Sequence, residues 1–310
     1  MADRFEDLRV FLQVVESQSI SGAADALDVA PSAVSRRLKD LEGRLGVQLI
    51  LRTTRQMSLT DEGRQFHERA RRIMADLEEA EQLAAADNCS LSGTLRISVP
   101  LTFGNMELVP KITQFMADQE DLVLDLQLDD RRVDLVEEGF DAAVRVGNLD
   151  DSSLIARKLA TSRLVVCAAP SFLKKYGPID NPKTINAIPG VHYSNSKNSS
   201  GHWECTWEGQ KITVRPVTRL RASDGTALMA AAVAGLGIMR APDFIVREKL
   251  ANGELVEVLG GVDWGTFPIN ILYPQNKHMP RRLRAFIDHL TGVVTPSNRG
   301  CGEVAKGKGA

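Results

Sequence analysis

Apolar residues recur at helical spacing through the first third of the chain, and short apolar runs alternate with amphipathic stretches through the rest. Residues 3–17 place Phe5, Leu8, Phe11, Leu12 and Val15 on one face, which predicts a first helix with those residues inward. Ser19 suits the N-cap of a small second helix whose inner face is Ala23, Ala24 and Leu27. Residues 28–30 form a turn. A third helix begins at Pro31, where a missing N–H costs nothing, and ends at Gly46, a residue suited to a left-handed C-cap. It sets Val34, Leu38, Leu41 and Leu45 on one side and Ser32, Ser35, Arg36 and Lys39 on the other. Two helices separated by so little chain predict a helix-turn-helix, the second showing water short polar and basic side chains that suit a major groove. VQLILRTTRQMSLT then reads as a two-stranded wing with Arg52, Thr53 and Arg55 at its tip.

Asp61 opens a long helix reaching about residue 86. Phe66, Ala70, Ile73, Leu77, Ala80 and Ala84 lie four and three residues apart in turn, a heptad-like seam. Such a stripe is covered either by its own domain or by a second copy of the chain, and a reader of two half-sites favours the copy. NCSLSG at 88–93 reads as a hinge. Beyond it TLRISVP, LVLDLQL, FDAAVRVG and RLVVCAAP read as strands, with GNMELVPKITQFMADQ and RRVDLVEEG as helices between them. A second set follows: PGVHY, KITVRP, RLRA, the helix DGTALMAAAVAGLG, GIMR and DFIVREKL. FPINILYP and the helix PRRLRAFIDHLTG close it. This alternation predicts a mostly parallel α/β sheet, and its length predicts two lobes with a crevice between them. The expected division is a winged helix-turn-helix at 1–60 (the motif itself about 20–39), a linker helix at 61–87, the hinge, and a two-lobed regulatory part at 94–292. Lobe I takes about 94–162 and 266–292, and lobe II about 163–265. The polar, glycine-rich tail 293–310 reads as disordered.

Composition changes this picture little. Of 310 residues 43% are hydrophobic and 25% charged, ordinary values for a globular protein. No apolar run is long enough to span a bilayer, and no secretory leader is read at the N-terminus, so no membrane association and a cytoplasmic setting are expected. The net charge of −2 argues against nucleic acid until its distribution is considered. Between residues 31 and 60 six basic side chains face two acidic ones, enough for a local phosphate-binding patch. Cys89, Cys167, Cys205 and Cys301 are scattered without metal-ligand spacing, so they read as free thiols, with no metal site and no cofactor expected.

On the DNA face Arg36 suits a guanine edge, Arg37 or Lys39 a phosphate, and Ala33 a thymine methyl. Ser19 and Ser21 suit a phosphate held at the start of the second helix. Arg52, Thr53 and Arg55 suit the backbone or minor groove. Solvated surface charge is the plain alternative for any one of these arginines. In the α/β part, three strand ends are candidate ligand sites. Ser98, Pro100, Leu101 and Thr102 follow the first strand, Arg145, Val146 and Gly147 end FDAAVRVG, and Asp224, Gly225 and Thr226 open a helix. Arg145 points to an anionic ligand or to a structural acid partner, Ser98, Thr102 and Asp224 equally to helix caps. The polar segment 192–203, which contains His202, reads as a loop over the crevice or as plain surface.

FLQVVESQSISGAADAL, PSAVSRRLKDLEGRLGVQL and RTTRQMSLTDEG, with SGTLRIS, SSLIARKLA and AAVAGLGIM farther on, resemble the LysR-type transcriptional regulators over all but the tail. The resemblance implies a winged helix-turn-helix, a dimerising linker helix and a periplasmic-binding-protein-like regulatory domain with an inducer pocket at the three strand ends. It also implies an inverted-repeat promoter site in double-stranded DNA, a small-molecule effector, a dimer assembling to a tetramer, and contact with RNA polymerase. Two positions depart from the family pattern: Ala30 stands where a capping Ser or Thr is common, and Pro31 where Gln is common. Base choice then falls more to Ser32, Ala33, Ser35 and Arg36. Neither a nucleophile elbow, a zincin motif, a P-loop nor a dinucleotide fingerprint is present, so no catalytic residue and no enzyme are expected. A thiol-sensing regulator of the same architecture and a small-molecule-binding protein without a DNA role are the alternatives.

Overall fold

The computed structural model describes residues 4–52, 57–84, 91–149, 152–194, 201–275 and 279–294, with the side chains of 52 and 78–84 excepted. Helices α1 (Arg4–Ser17), α2 (Ile20–Leu27) and α3 (Pro31–Leu45) pack with the antiparallel wing strands β1 (Ile50–Arg52) and β2 (Met57–Leu59). Ser19 caps α2 by accepting the Gly22 N–H at 3.2 Å, and Gly46 ends α3 in the left-handed region. The core here joins Val10, Phe11, Val14, Ala23, Ala24, Val34, Leu38, Leu41, Leu49 and Ile50.

The inner face of α1 differs from the expected one. Val10, Phe11 and Val14 are buried, Phe5 is 47% exposed, and Leu8, Leu12 and Val15 are only half-buried. The reason is Asp7. It is buried because Arg37 and Arg44 of α3 reach it at 3.4 and 3.1 Å, and this polar tie turns the helix toward α3. Leu45 is also exposed (37%), since α3 has by then run past the core.

Helix α4 (Asp61–Ala84) leads out of the wing, and β3 (Gly93–Val99) begins the second region, with residues 85–90 of the expected hinge outside the described set. Next come α5 (Leu101–Phe103), a π turn (Gly104–Leu108), α6 (Val109–Ala117), β4 (Leu122–Leu128), β5 (Ala142–Val146) and the long β6 (Ile155–Ala168). The chain continues through α7 (Pro170–Tyr176), a 3₁₀ turn (Pro182–Ala187), β7 (Pro189–Tyr193), β8 (Trp203–Trp207), β9 (Gln210–Val214) and β10 (Val217–Ala222). Helix α8 (Gly225–Val233), β11 (Ile238–Pro242), α9 (Asp243–Ala251), β12 (Val256–Glu257), β13 (Thr266–Tyr273) and α10 (Arg281–Val293) complete it. The tail beyond residue 294 lies outside the described residues.

The strand order is β10-β7-β11-β6-β13-β5-β3-β4, with β12 added on β6. Two parallel triplets, β4-β3-β5 and β10-β7-β11, are joined by antiparallel β13 and β6. Residues 155–163 of β6 pair with β13, and residues 164–167 pair with β11. One strand therefore belongs to both lobes, and the α/β part is two-lobed as its length suggested. The sheet is less parallel than the alternation implied, because the strands at the junction run against their neighbours.

Three segments fold otherwise than their patterns suggested. RRVDLVEEG is a series of turns, not a helix. Asp129 Oδ1 accepts the Arg131 N–H at 2.9 Å, and Asp134 Oδ1 accepts those of Val136 (2.8 Å) and Glu137 (2.9 Å). These side-chain acceptors offer the backbone an alternative to helical bonding. DFIVREKL is a helix, α9. KITVRP does not join the main sheet but pairs with β8 as a separate hairpin, which makes His192–Trp203 strand at both ends rather than a loop; its residues 195–200 lie outside the described set.

Candidate DNA-binding face and effector crevice

Burial of Val34, Leu38 and Leu41 fixes the rotation of α3. Pro31, Ser32, Arg36 and Lys39 are consequently exposed, and Ala33 and Ser35 lie half-exposed between them. Ala30 makes no side-chain capping bond; Pro31 has no N–H, and the Ala33 and Val34 N–H groups donate to the Ala30 carbonyl at 2.9 and 3.3 Å. Ser21 is exposed at the start of α2, and the Ser19 hydroxyl is engaged as the cap. Arg37 Nη1 lies 3.4 Å from Asp7 Oδ1, which makes it a strut between α1 and α3. Glu42 was not singled out by the sequence pattern. Its Oε1 accepts the N–H groups of Leu49 (2.8 Å) and Ile50 (3.1 Å) and so docks the wing onto α3. Arg52 ends β1; Thr53 and Arg55 lie outside the described residues.

The seam of α4 divides. Phe66 packs edge-on to Phe11, with centroids 5.3 Å apart, and Ala70 is buried, so these two serve the chain's own core. Ile73 is 47% exposed, Leu77 is half-buried, and the side chains of Ala80 and Ala84 lie outside the described set. On another side, α4 touches the regulatory part. Arg72 donates to the carbonyls of Leu135 and Val136 at 2.8 Å each, and Glu68 pairs with Arg96 at 3.1 Å. Gly139 is in the left-handed region, where a side chain is strained, and a Cβ there would displace the Glu68 carboxylate.

The strand ends meet where the lobes face each other. Ser98, fully buried, accepts a hydrogen bond from Arg145 Nη2 at 3.1 Å. Arg145 also donates to the Val144 and Arg131 carbonyls, and burial lowers its pKa against the pull of Asp130 and Asp129. Thr102 Oγ1 donates to Asp224 Oδ1 at 2.9 Å and accepts the Gly225 N–H at 3.0 Å, a tie from lobe I to lobe II. Asp224 also caps α8 by accepting the Thr226 N–H. Burial works to raise its carboxyl, but the bonds from Thr226 and Thr102 hold it below the usual carboxylate value. A Cβ at Gly225 would come 2.8 Å from Ile245 Cδ1 and 3.1 Å from Thr102 Oγ1, so it would push the first aside and crowd the second at the lobe boundary. Phe103 against Phe244 (5.6 Å) and Glu107 with Arg247 (3.4 Å) extend the contact.

Pro100 and Leu101 open the helical segment behind Thr102, and Val146 and Gly147 belong to the backbone ladder with Ile269 and Pro268. His202 stands half-buried just before β8, on the hairpin. Two crevice residues carried no usable sequence signal. Asp130 lies near the Tyr193 hydroxyl of lobe II and the Leu101 N–H of lobe I, both of which favour its charged form. Burial raises its carboxyl, helped by Asp129 and Asp224 and opposed by those two donors. Burial likewise pushes the Cys167 thiol up to about 12 and raises Cys205, which disfavours the thiolate a redox sensor uses. Among the described residues no helix is long and apolar enough to cross a membrane.

The model of the bacterial regulatory helix-turn-helix protein, lysR family, matches residues 5–64, and that of the LysR substrate binding domain matches residues 90–295. The transcriptional regulator CrgA of Neisseria meningitidis serogroup C is 37% identical over 308 residues, covering 97% of this chain and all of that one. The uncharacterized regulator YhjC of Escherichia coli is 33% identical, covering 94% and 98%. The solved CrgA structure from Neisseria meningitidis superposes with a TM-score of 0.60 at 35% identity, covering 93% of this chain and 98% of that one. The full-length Vibrio cholerae virulence activator AphB gives 0.58 at 27%, covering 94% and 99%. The exposed basic side of a wing-docked helix, a two-lobed ligand-domain fold and these matches along both regions agree: the chain belongs to the LysR family of DNA-binding transcriptional regulators and carries that family's effector-binding domain.

Proposed function

We propose that the open side of α3 enters the major groove of a promoter site, with Pro31, Ser32, Ala33, Ser35 and Arg36 toward the bases and Lys39 toward a phosphate. Ser21 with the start of α2, and the wing residues Arg52, Thr53 and Arg55, hold the flanking backbone. Reader 1–60 and linker 61–87 act as one unit, and a second copy joins along the part of the α4 seam the chain does not use itself, from Ile73 through Leu77 to Ala80 and Ala84. The observation that carries this reading is the clean division of α3: Val34, Leu38 and Leu41 are locked inward while Ser32, Arg36 and Lys39 are left outward.

A small anionic effector binds between the lobes, on Ser98, Arg145, Thr102 and Asp224, and changes how firmly the lobes close. What supports this is that Thr102, Asp224 and Gly225 meet across the lobe boundary, just after the strand whose Ser98 accepts from the half-buried Arg145 guanidinium. DNA affinity follows lobe closure through the contacts of Arg72 and Glu68 with the regulatory part.

The test is fluorescence anisotropy of the full chain on the fragment upstream of its own gene, at fixed salt. Ser35→Ala with Arg36→Ala lowers affinity by about tenfold or more, since an arginine–guanine pair alone is worth roughly 1–3 kcal/mol. Unchanged affinity in a variant with wild-type thermal stability contradicts the reading.

A further inference from the structure

Among the described residues of the reader, Asp7 is the only buried charged side chain, at 4% exposure. It faces two guanidiniums of α3. Arg37 Nη1 lies 3.4 Å from Oδ1 and Arg44 Nη2 lies 3.1 Å from Oδ2, and each arginine side chain is 38% exposed. Helix α3 carries four basic side chains, Arg36, Arg37, Lys39 and Arg44. Two of the four therefore point at an acid of the same chain, and Arg36 and Lys39 stand exposed on the open side. Arg37 is at the border between these uses. It follows Arg36 in sequence and lies one turn after Ala33, on the flank of the side assigned to the groove.

A guanidinium so placed has a choice of anions, the carboxylate behind it or a phosphate of the duplex. The carboxylate wins. A contact with an exposed phosphate is screened by salt, whereas drawing a partner away from a buried carboxylate leaves that charge short of compensation where water does not replace it. Arg44, two turns farther along α3, holds the other oxygen of the same carboxylate and keeps Asp7 aimed at the helix. We propose that Asp7 withholds Arg37 from the DNA backbone and so limits the reader's sequence-independent affinity. This rests on α3 being the groove helix, and it adds a residue of α1 that sets how much of the binding is electrostatic. Phosphates carry no sequence information, so one more contact of that kind strengthens binding to every competing stretch of duplex alike. With Arg37 held, the weight passes to Ser32, Ala33, Ser35 and Arg36.

The experiment measures binding of the full chain to a duplex of unrelated sequence, by fluorescence anisotropy over a series of salt concentrations. Asp7→Asn removes the charge and keeps an oxygen of the same reach. At about 0.15 M salt it is expected to bind about fivefold more tightly than wild type, and to steepen the slope of log K against log salt by about 0.9, the mark of one added phosphate contact. Loss of any carboxylate makes the reader more positive, so Arg37→Gln is the control. In that background Asp7→Asn is expected to leave the slope where Arg37→Gln alone puts it. A steepening of the same size with and without Arg37, or none in a folded Asp7→Asn, overturns the proposal. Should Asp7→Asn not fold, Arg37→Gln in an otherwise unaltered chain decides. An unchanged slope upholds the proposal, and a slope shallower by about 0.9 places Arg37 on a phosphate already and overturns it. The groove reading fails separately, if Ser35→Ala with Arg36→Ala keeps full promoter affinity; a negative result at Asp7 alone strikes only the present proposal.

Discussion

The two functional regions use polar side chains in opposite ways. On α3 the backbone is fixed by an apolar face, and among the described residues Ser32, Arg36 and Lys39 are left exposed for a partner outside the chain. In the crevice polar groups already serve other parts of the same chain: Ser98 with Arg145, Thr102 with Asp224 and Gly225. The one surface keeps its polar groups free of internal partners, whereas the other holds them in bonds that any group entering there would have to replace.

The contrast is broken most forcefully from beneath α3. Leu38→Ala removes a buried anchor and is expected to destabilise the reader by about 2–5 kcal/mol. Thermal unfolding should then show an early transition for the amino-terminal region with the α/β region's melting unchanged; a single shifted transition would mean the two unfold together. In the crevice, Gly225→Ala forces a methyl against Ile245 and Thr102, at a cost of about 1–3 kcal/mol. It should loosen lobe contact, read as faster amide exchange at the start of α8, while leaving the α3 amides as they were.

Arg36 and Arg37 sharpen the comparison within one helix. Arg36→Ala should weaken promoter binding and leave stability alone. Arg37→Ala should instead lower the reader's stability by about 1–2 kcal/mol, because Asp7 loses one of its two arginine partners. Equal effects of the two on both readouts would erase the distinction. Ala30→Ser supplies the missing cap and should stabilise α3 by about 1 kcal/mol, detected in the same melt.

The smallest effect concerns pH. His192 is buried, both its ring nitrogens are without a partner among the described residues, and burial, then Arg221 and Arg240, lowers its pKa below 6.5. A depressed histidine favours the folded state above the unfolded pKa, and that contribution is lost as pH falls from 6.5 through the lowered value. Melting of the α/β region should drop over that window, and His192→Phe should flatten the drop.

The reader was largely legible from sequence because its information is local. Val34, Leu38 and Leu41 declare the inner side of α3, and Ser19 and Gly46 mark helix ends. It was misread where a distant charge intervened. Nothing near Asp7 foretells that Arg37 and Arg44 bury it and turn α1 so that Val10 and Val14, not Leu8 and Leu12, lie deepest. The crevice was legible at Thr102, Arg145 and Asp224, since strand ends in α/β sheets converge. Asp130 was not. In the run DDRR it looks like any surface acid, and only the tertiary approach of Tyr193 from the other lobe gives it a role. The segment after it was read as a helix because its apolar spacing fits one, while the Asp134 side chain bonds that divert it depend on local geometry the spacing does not record.

The central claim is that the outward side of α3 meets base-pair edges. It is tested most directly by tethering a hydroxyl-radical cleavage reagent to Ser32→Cys, in a chain whose Cys89 and Cys301 are replaced by Ser, and mapping the cuts on promoter DNA. Cuts confined to short patches flanking one major groove per half-site, and absent when the reagent sits at Asp25→Cys on α2, are the predicted result. Uniform or absent cleavage from Ser32→Cys, in protein that still binds the fragment, would contradict it.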